Sequence, residues 1–308
     1  MESSSRGIEV RGVRRAFGSV LAVEDISLTA RPGEITALVG PNGAGKTTLL
    51  LMLATLLAPD QGEIRIDGVD PVTRPREVRA HIGWMPDGFG TWDALTVREV
   101  LLTICAAYDM RTERARTRTD EVLALLHLGE LADRRARVLS RGQKQRLGLA
   151  RALVHEPSVL LLDEPASGLD PRSRIELRDV LRGLAAEGRT VLVSSHILTE
   201  LQEVADRAVI VSRGRSIDVQ TLEPDGSAAT VARWRVSSLD TERLRGWLDD
   251  RRVSWRPDLT ATEVDVVGEE AAAALLAELV RDDIRITSYA PSQGALEAAY
   301  LAATEDRQ

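Results

Sequence analysis

Cysteine is almost absent from this sequence. The chain has one cysteine, Cys105, so no internal disulfide can form and a disulfide-stabilised secreted domain is excluded. The first ten residues also lack the basic segment and apolar core that are typical of a secretory signal. We therefore expect a cytoplasmic location.

Long apolar runs and an excess of basic charge are also missing. The longest largely apolar run, residues 49–58, would be only about 15 Å long as a helix, against roughly 30 Å of bilayer hydrocarbon. We expect no membrane-spanning segment. The 40 basic residues are outnumbered by 47 acidic residues, which gives a net charge of -7. Proteins that neutralise nucleic acid phosphates usually have the opposite balance, so we expect no nucleic acid partner.

Lysine is the third scarcity. Only Lys46 and Lys144 are lysines among the 40 basic residues, and the others are arginine. A lysine ammonium is a compact point charge, so a lysine kept in such a chain marks a place where the planar arginine fork would not fit. The scarcity also excludes a guanine-reading N-K-x-D box, because Lys46 follows Gly45 and Lys144 follows Gln143.

The chain nevertheless has enough apolar material for two folded units. It has 308 residues, of which 44% are hydrophobic, and about 150 residues make a typical domain. Short apolar strands alternate with helical patterns, which predicts a mainly parallel α/β sheet with covered faces. The predicted strands are residues 35–39, 64–66, 82–85, 159–162, 190–194 and 208–212, and the predicted helices between them include residues 46–58, 173–186 and 198–205.

Two further regions interrupt or extend this pattern. Residues 93–155 form a predicted helical insertion, with helices at 97–108, 120–128 and 143–155, the first of which starts at a capping box of Thr96 and Glu99. After residue 221 the order is strand, helix, two strands, helix, strand and a last helix beyond Pro291. That order predicts a small split βαβ sandwich, with strands at 232–236, 253–255, 263–267 and 284–287 and helices at 241–248 and 271–279.

A phosphate-binding pattern lies between the first buried strand and the helix that follows it. Residues 40–47 read GPNGAGKT and fit G-x-x-x-x-G-K-[ST] in full. Glycines allow successive backbone N–H groups to form an anion nest, and the start of the helix adds its positive end. Lys46 would reach the β- and γ-phosphates, and Thr47 would ligate Mg²⁺. The predicted nucleotide-binding residues are Gly40, Pro41, Asn42, Gly43, Ala44, Gly45, Lys46, Thr47 and Thr48.

Two carboxylates follow the apolar strand 159–162. Asp163 and Glu164 would stand at its carboxyl end, where ligands bind in open α/β sheets. Asp163 would hold Mg²⁺, directly or through water, and Glu164 would accept a proton from an attacking water. These residues alone are compatible with either a kinase or a transport ATPase.

Taken in order, these segments resemble the ATP-binding subunits of ABC transporters over about residues 8–215. Phe17 takes the place of the adenine-stacking aromatic. His196, after a late strand, takes the place of the switch histidine, a catalytic residue that would contact the γ-phosphate. Residues 139–143 (LSRGQ) resemble the LSGGQ motif, and residues 167–170 (SGLD) resemble the D-loop. The segment 139–153, just ahead of the acidic strand, is most similar to the branch that serves ABC-2-type exporters of drugs, antibiotics, sodium or lipids.

The resemblance implies a P-loop NTPase fold of the ABC type at residues 1–220, with a helical subdomain at about 90–155, and a small α+β accessory domain at residues 221–308. It also implies an ATP- and Mg²⁺-dependent ATPase that drives a separate integral-membrane permease from the inner face of the membrane. Two copies would form a head-to-tail homodimer around two ATP molecules. Ser140, Gly142, Gln143 and Asp170 would then complete the nucleotide site, and Ser140 and the Gly142 amide would meet the γ-phosphate that Lys46 of the other copy holds.

The match departs from the family pattern at two positions. Arg141 stands where the LSGGQ motif has glycine; its guanidinium would either help to neutralise phosphate or simply be exposed. Asp87 follows the strand 82–85, where the family usually has a glutamine that contacts Mg²⁺. A carboxylate is also a hard oxygen ligand, so metal ligation by Asp87 is an open hypothesis.

Other interpretations compete with this one. Phe17 could be a core residue, and His196 could be structural. At the level of function, a soluble ABC-type ATPase acting on the ribosome or DNA is the alternative, although such proteins usually have two ATPase halves or long coiled-coil insertions. A kinase would leave residues 140–143 without a role.

Overall fold

The computed structural model describes residues 6–88, 90, 92–197, 201, 204–221, 231–258 and 261–291. The chain divides into two compact units, Met1–Thr221 and Leu222–Gln308. Within the described residues, no helix is both long and apolar enough to cross a bilayer.

The first unit is built on a nine-stranded sheet in the order β4-β1-β2-β9-β8-β3-β7-β6-β5. Its central strands β8, β3, β7, β6 and β5 run parallel, and β1, β2 and β4 pair antiparallel at one side. The predicted parallel α/β sheet is thereby confirmed. The strands are β1 (Ile8–Phe17), β2 (Val20–Ala30), β3 (Ile35–Val39), β4 (Gln61–Ile66), β5 (Ile82–Met85), β6 (Val159–Asp163), β7 (Thr190–Ser195), β8 (Arg207–Ser212) and β9 (Arg215–Thr221).

The central strands are apolar because helices cover both faces of a parallel sheet. Every residue of β3, β6 and β7 is buried. The helices of this unit are α1 (Lys46–Leu53), α2 (Pro75–His81), α3 (Val97–Ala107), α4 (Thr112–Leu125), α5 (Arg141–Leu153) and α6 (Pro171–Ala186).

Several helix boundaries differ from the prediction, and the largest differences are at the end of α1 and the start of α4. Helix α1 ends at Leu53 rather than near residue 58, because Thr55 adopts a left-handed conformation (φ 62°) that stops the helix. Helix α4 begins at Thr112 rather than Asp120, and its first turns bury Ala115 and the polar Arg118. The predicted helix at 198–205 lies largely outside the described residues.

The predicted capping box at the start of α3 is confirmed. Thr96 Oγ1 accepts a hydrogen bond from the Glu99 amide at 3.2 Å, and Glu99 Oε2 accepts one from the Thr96 amide at 2.7 Å. These two bonds satisfy donors that a helix start would otherwise leave unpaired.

The second unit is a four-stranded antiparallel sheet in the order β11-β12-β10-β13 with two helices. This is the predicted split βαβ arrangement, and the predicted last helix after residue 291 lies outside the described residues. Its elements are β10 (Val231–Ser238), α7 (Thr241–Asp250), β11 (Trp255–Asp258), β12 (Ala261–Val267), α8 (Gly268–Arg281) and β13 (Ile286–Pro291). Val236, Leu244 and Val264 are fully buried in its core, beside the largely buried Trp247.

Candidate functional site

The phosphate-binding loop runs from the end of β3 to the start of α1. Gly45 caps α1 with a φ of 106°, a conformation that L side chains rarely adopt. Gly40 is required for a different reason: a Cβ there would lie 2.2 Å from the Val211 carbonyl oxygen. The loop can therefore follow this path only with glycine at both positions. Pro41, Asn42, Gly43 and Thr47 are exposed along it, Thr48 is half-buried and Ala44 is buried.

Lys46 is folded back over this loop and is almost fully buried, with 6% of its surface exposed. Its Nζ donates hydrogen bonds to the carbonyl oxygens of Gly40 at 2.6 Å and Pro41 at 3.2 Å. Burial lowers the pKa of the Lys46 ammonium, while the negative charges of Glu164 and Asp163 partly oppose that shift. A bound anion would therefore stabilise the charged form of Lys46 in this loop.

Thr47 and Asp163 meet at the carboxyl end of the sheet. Thr47 Oγ1 donates to Asp163 Oδ2 at 3.0 Å, and Asp163 is almost fully buried at the end of β6. Hydroxyl and carboxylate oxygens are hard ligands that suit Mg²⁺. Within the described residues, no group of three or more His, Cys, Asp or Glu side chains could hold a metal ion. A Mg²⁺ ion at this pair would therefore take most of its other ligands from water and from phosphate, as is usual for this metal.

Glu164 has a strained backbone that its neighbours hold in place. Its φ is 50°, a conformation that costs a non-glycine residue about 1–3 kcal/mol. The Glu164 amide donates to the Ser194 carbonyl at 3.1 Å, and the Glu164 carbonyl accepts from the Ser167 amide at 3.0 Å. This conformation carries the Glu164 carboxylate to His196, whose Nδ1 lies 2.9 Å from Glu164 Oε1. The acid and the histidine that the sequence suggested are thus brought together.

The residues of the LSGGQ-like segment cap helix α5. Ser140 Oγ accepts from the Gln143 amide at 3.3 Å, and Gln143 Oε1 accepts from the Ser140 amide at 2.9 Å. Gly142 lies in the first turn, so its amide is one of the free donors of a helix start. Among the described residues, no hydrogen bond joins these three to the phosphate-binding loop of the same chain. The N-terminus of α5 remains free to meet an anion from elsewhere.

Asp170 caps helix α6 in the same way. Its two carboxylate oxygens accept from the Ser173 amide at 3.0 Å and from the Ser173 hydroxyl at 2.7 Å. The hydrogen bond from the Ser173 amide is the largest cause that lowers the pKa of the Asp170 carboxyl. In a single chain, Asp170 therefore orders the start of α6 rather than the phosphate-binding loop.

Phe17 and Asp87 stand at the end of β1 and just beyond the end of β5, respectively. Phe17 ends β1, with 48% of its surface exposed and the Arg15 guanidinium 5.0 Å from its ring centroid. Its exposure makes it an open aromatic surface rather than a core residue. Asp87 is exposed just beyond β5, and among the described residues no hydrogen bond or ion pair joins it to Thr47 or Asp163.

Two residues of the site were missed by sequence reasoning. Ser194 is fully buried, and its Oγ donates to Asp163 Oδ1 at 2.5 Å and accepts from the Glu164 amide at 3.2 Å. Gln145 Nε2 donates to the Glu164 carbonyl oxygen at 3.2 Å. The sequence signal for Ser194 was the pair of serines at the end of the apolar strand β7, because β6 also ends in polar residues.

Comparison with known proteins gives the family. The model of the ABC transporter family matches residues 23–167. The daunorubicin/doxorubicin resistance ATP-binding protein DrrA of Streptomyces peucetius is 33% identical over 306 residues, which cover 97% of this chain and 93% of that protein. Nod factor export ATP-binding protein I of Burkholderia lata is 40% identical over 210 residues, covering 68% of this chain and 69% of the relative.

Solved structures agree with these relatives. The dimeric structure of a bacterial ABC transporter cassette has a TM-score of 0.65 and 28% identity, and the match covers 70% of this chain and 99% of that one. A dimeric post-hydrolysis cassette bound to ADP and Pi has a TM-score of 0.64, with the same identity and coverage. Fold and site together define a P-loop ATPase of the ABC type. The chain belongs to the family of ATP-binding proteins of ABC transporters.

Proposed function

We propose that this chain is the ATP-hydrolysing subunit of an ABC-2-type exporter and drives a separate integral-membrane permease. The observation that carries the proposal is the clustering of Lys46, the Thr47–Asp163 pair and the Glu164–His196 pair at one end of the sheet. Relatives named for Nod factor export and for daunorubicin resistance support the direction of transport. They also disfavour the alternative, a soluble ATPase acting on the ribosome or DNA.

The residues of the site divide the work on ATP between them. Lys46 and the glycine amides of the loop would bind the β- and γ-phosphates, and Thr47 with Asp163 would hold Mg²⁺, which neutralises phosphate charge when bound. Glu164 would take the proton of the attacking water, since its carboxylate is held by His196 and its backbone by Ser194. Phe17 would stack on adenine.

We further propose that two copies complete each other's sites. The capped N-terminus of α5, with Ser140 and the Gly142 amide, would meet the γ-phosphate held by Lys46 of the second copy, with Gln143 and Asp170 nearby. Support comes from the dimeric cassettes that this chain resembles. Shifting the ratio of closed to open dimer from 1:99 to 99:1 takes about 5.5 kcal/mol of differential ATP binding, which a few charge-assisted hydrogen bonds can supply. Loss of the γ-phosphate would remove these hydrogen bonds and let the dimer open.

The proposal also assigns the domains of the chain and its location. Residues 1–220 would be the nucleotide-binding domain, including a helical subdomain at about 90–155, and residues 221–308 an accessory domain. The chain would be cytoplasmic and bound to the inner face of the membrane only through its permease.

The test is the oligomeric state of Glu164→Gln, which should bind ATP but not hydrolyse it. By light scattering, we expect this variant to become a dimer with saturating ATP and Mg²⁺ and to stay a monomer without nucleotide. Lys46→Ala in the same background is the matched control and should stay monomeric, because it loses the phosphate contact. A Glu164→Gln protein that remains monomeric at saturating ATP would contradict the proposal.

A further inference from the structure

Arg141, the residue that departs from the LSGGQ pattern, lies against the D-loop of its own chain. Its Nη2 donates to Ser167 Oγ at 3.2 Å. The guanidinium also lies close to Gly168: a Cβ at that glycine would be 2.3 Å from Arg141 Nε and 2.5 Å from its Cζ. We infer that Arg141 is a positioning residue, which fixes the D-loop to the first turn of α5.

Two deeper contacts join the same elements. A Cβ on Gly142 would lie 3.4 Å from a methyl group of Leu169, so the first turn of α5 packs directly on the buried side chain of the D-loop leucine. One turn further on, Arg146 Nη2 donates to Ser173 Oγ at 3.2 Å and to Glu176 Oε2 at 2.7 Å. Arg141 adds the outermost of three connections between the start of α5 and the start of α6.

This position gives Arg141 a consequence for the reaction, which rests on the dimer proposed above. The first turn of α5 would serve the γ-phosphate of the partner copy. The D-loop, in turn, is attached to the chain's own catalytic segment, because the Ser167 amide donates to the Glu164 carbonyl oxygen at 3.0 Å. Arg141 therefore connects the segment that completes one ATP site with the segment that carries Glu164 in the other.

The geometry adds a third role to the two that the sequence left open for Arg141. The side chain is exposed, as one of those two roles expects, and its guanidinium also contacts Ser167 and Gly168 of the D-loop. A guanidinium suits this place, since its fork of donors reaches Ser167 while its flat group fits beside a glycine; a compact lysine ammonium offers only a point charge.

The experiment compares Arg141→Ala and Arg141→Lys with the wild type. We expect both variants to lower the Hill coefficient of ATP hydrolysis toward one. In the Glu164→Gln background, both should weaken ATP-driven dimerisation by about tenfold, which corresponds to the lower limit for the loss of one charge-assisted hydrogen bond. ATP affinity of the monomer should stay within about twofold, because Lys46 and its loop are untouched. Arg137→Ala, which removes an exposed arginine from the preceding 3₁₀ helix, is the charge control and should change neither quantity.

A second variant keeps the inference testable if the first ones fold poorly. Gly168→Ala should weaken dimerisation about as much as Arg141→Ala, because its methyl group would displace the end of the Arg141 side chain. Adding Arg141→Ala to Gly168→Ala should cost little more, since both changes remove the same contact; the strain of the positive φ at residue 168 (70°) is separate from that contact.

Three results would overturn the inference. The first is full ATPase activity of Arg141→Lys with an impaired Arg141→Ala, which would make charge the relevant property. The second is a lower melting temperature of the Arg141 variants without a change in the Hill coefficient. The third is that the effects of Arg141→Ala and Gly168→Ala on dimerisation add up. These outcomes leave the proposed function intact as long as Glu164→Gln forms its ATP-bound dimer. If that dimer never forms, the proposed function fails first.

Discussion

The Nδ1 atom of His196 lies 2.9 Å from Oε1 of Glu164, at the edge where two neighbouring strands end. Strands β6 and β7 run parallel with Asp163 opposite Ser194, so the residues that follow them emerge side by side. The histidine side chain is 45% exposed, whereas the glutamate side chain is only 13% exposed. The carboxylate is thus shielded on one side by an imidazole that still faces outward, where a nucleotide or a second subunit can reach it.

Removing that imidazole should slow hydrolysis without weakening ATP binding. We expect His196→Ala to lower kcat by about 10²-fold, the lower end of the range for a general acid–base contribution, because Glu164 loses the partner that orients it. A fluorescent ATP analogue should report unchanged affinity. His127→Ala removes an exposed histidine after α4 and is the matched control. Equal rates for the two variants would show that the Glu164–His196 contact has no role in catalysis.

Ser194 should matter both for stability and for magnesium use. Its hydroxyl is buried between Asp163 and the Glu164 amide, so Ser194→Ala leaves a buried carboxylate short of one donor. We expect a loss of about 1–3 kcal/mol in the free energy of unfolding and a higher Mg²⁺ concentration for half-maximal ATPase activity.

The neighbouring Ser195 provides the control for that measurement. It is also buried, but within the part of the chain that the structure describes its hydroxyl has one hydrogen bond, a local one accepted from the Ile197 amide at 3.0 Å. Ser195→Ala should therefore destabilise the fold without changing the Mg²⁺ dependence. The same Mg²⁺ shift in both variants would mean that the Ser194–Asp163 hydrogen bond does not order the metal ligand.

Much of the fold could be predicted because the relevant signals are local. Strands β3 and β5 were predicted to the residue, since buried parallel strands are short apolar runs that end at glycine or proline. Helix α3 was found through its capping box. The end of α1 was not found, because its left-handed residue is Thr55 rather than glycine and the sequence shows no break there.

The contacts of the site were less accessible than its residues. The motifs predict roles for Lys46, Asp163 and Glu164, but a pairing such as Glu164–His196 depends on β6 and β7 being neighbours. The sheet order β3-β7-β6-β5 does not follow the chain, so one sequence without relatives does not give it. The same reason explains why Ser194 was overlooked and why the contact of Arg141 with the D-loop was not predicted.

The lowered pKa of Lys46 leads to a pH-dependent affinity for ATP. Burial disfavours the charged ammonium in the free protein, and bound phosphates would favour it, so binding should raise the pKa of Lys46 again. Affinity should then be full below the pKa of the free protein and fall as the pH rises through it. That fall should come at lower pH than for an ordinary lysine, whose pKa is about 10.4.

Nuclear magnetic resonance can follow this titration directly, because the chain has only two lysines. With labelled lysine side chains, Lys46→Arg assigns the two signals. The Lys46 signal should titrate at lower pH than a model lysine and should move to higher pH when ATP is added. A Lys46 signal that titrates at the ordinary pH, or that ATP leaves in place, would contradict this account.

Asp87 is the last residue whose role an experiment can decide. It follows β5, which pairs in parallel with β6 so that Met85 stands opposite Leu162, one residue before Asp163. A carboxylate beyond Met85 can therefore serve the same metal, either directly or through a water molecule. We expect Asp87→Ala to raise the Mg²⁺ concentration for half-maximal activity by about tenfold, as is usual when an outer ligand is lost, and Asp87→Gln to restore part of it. Asp133→Ala removes a carboxylate that is 92% exposed and should have no such effect. If the Mg²⁺ dependence of Asp87→Ala matches that of Asp133→Ala, Asp87 is not part of the metal site and the Thr47–Asp163 pair is the protein's contribution to it.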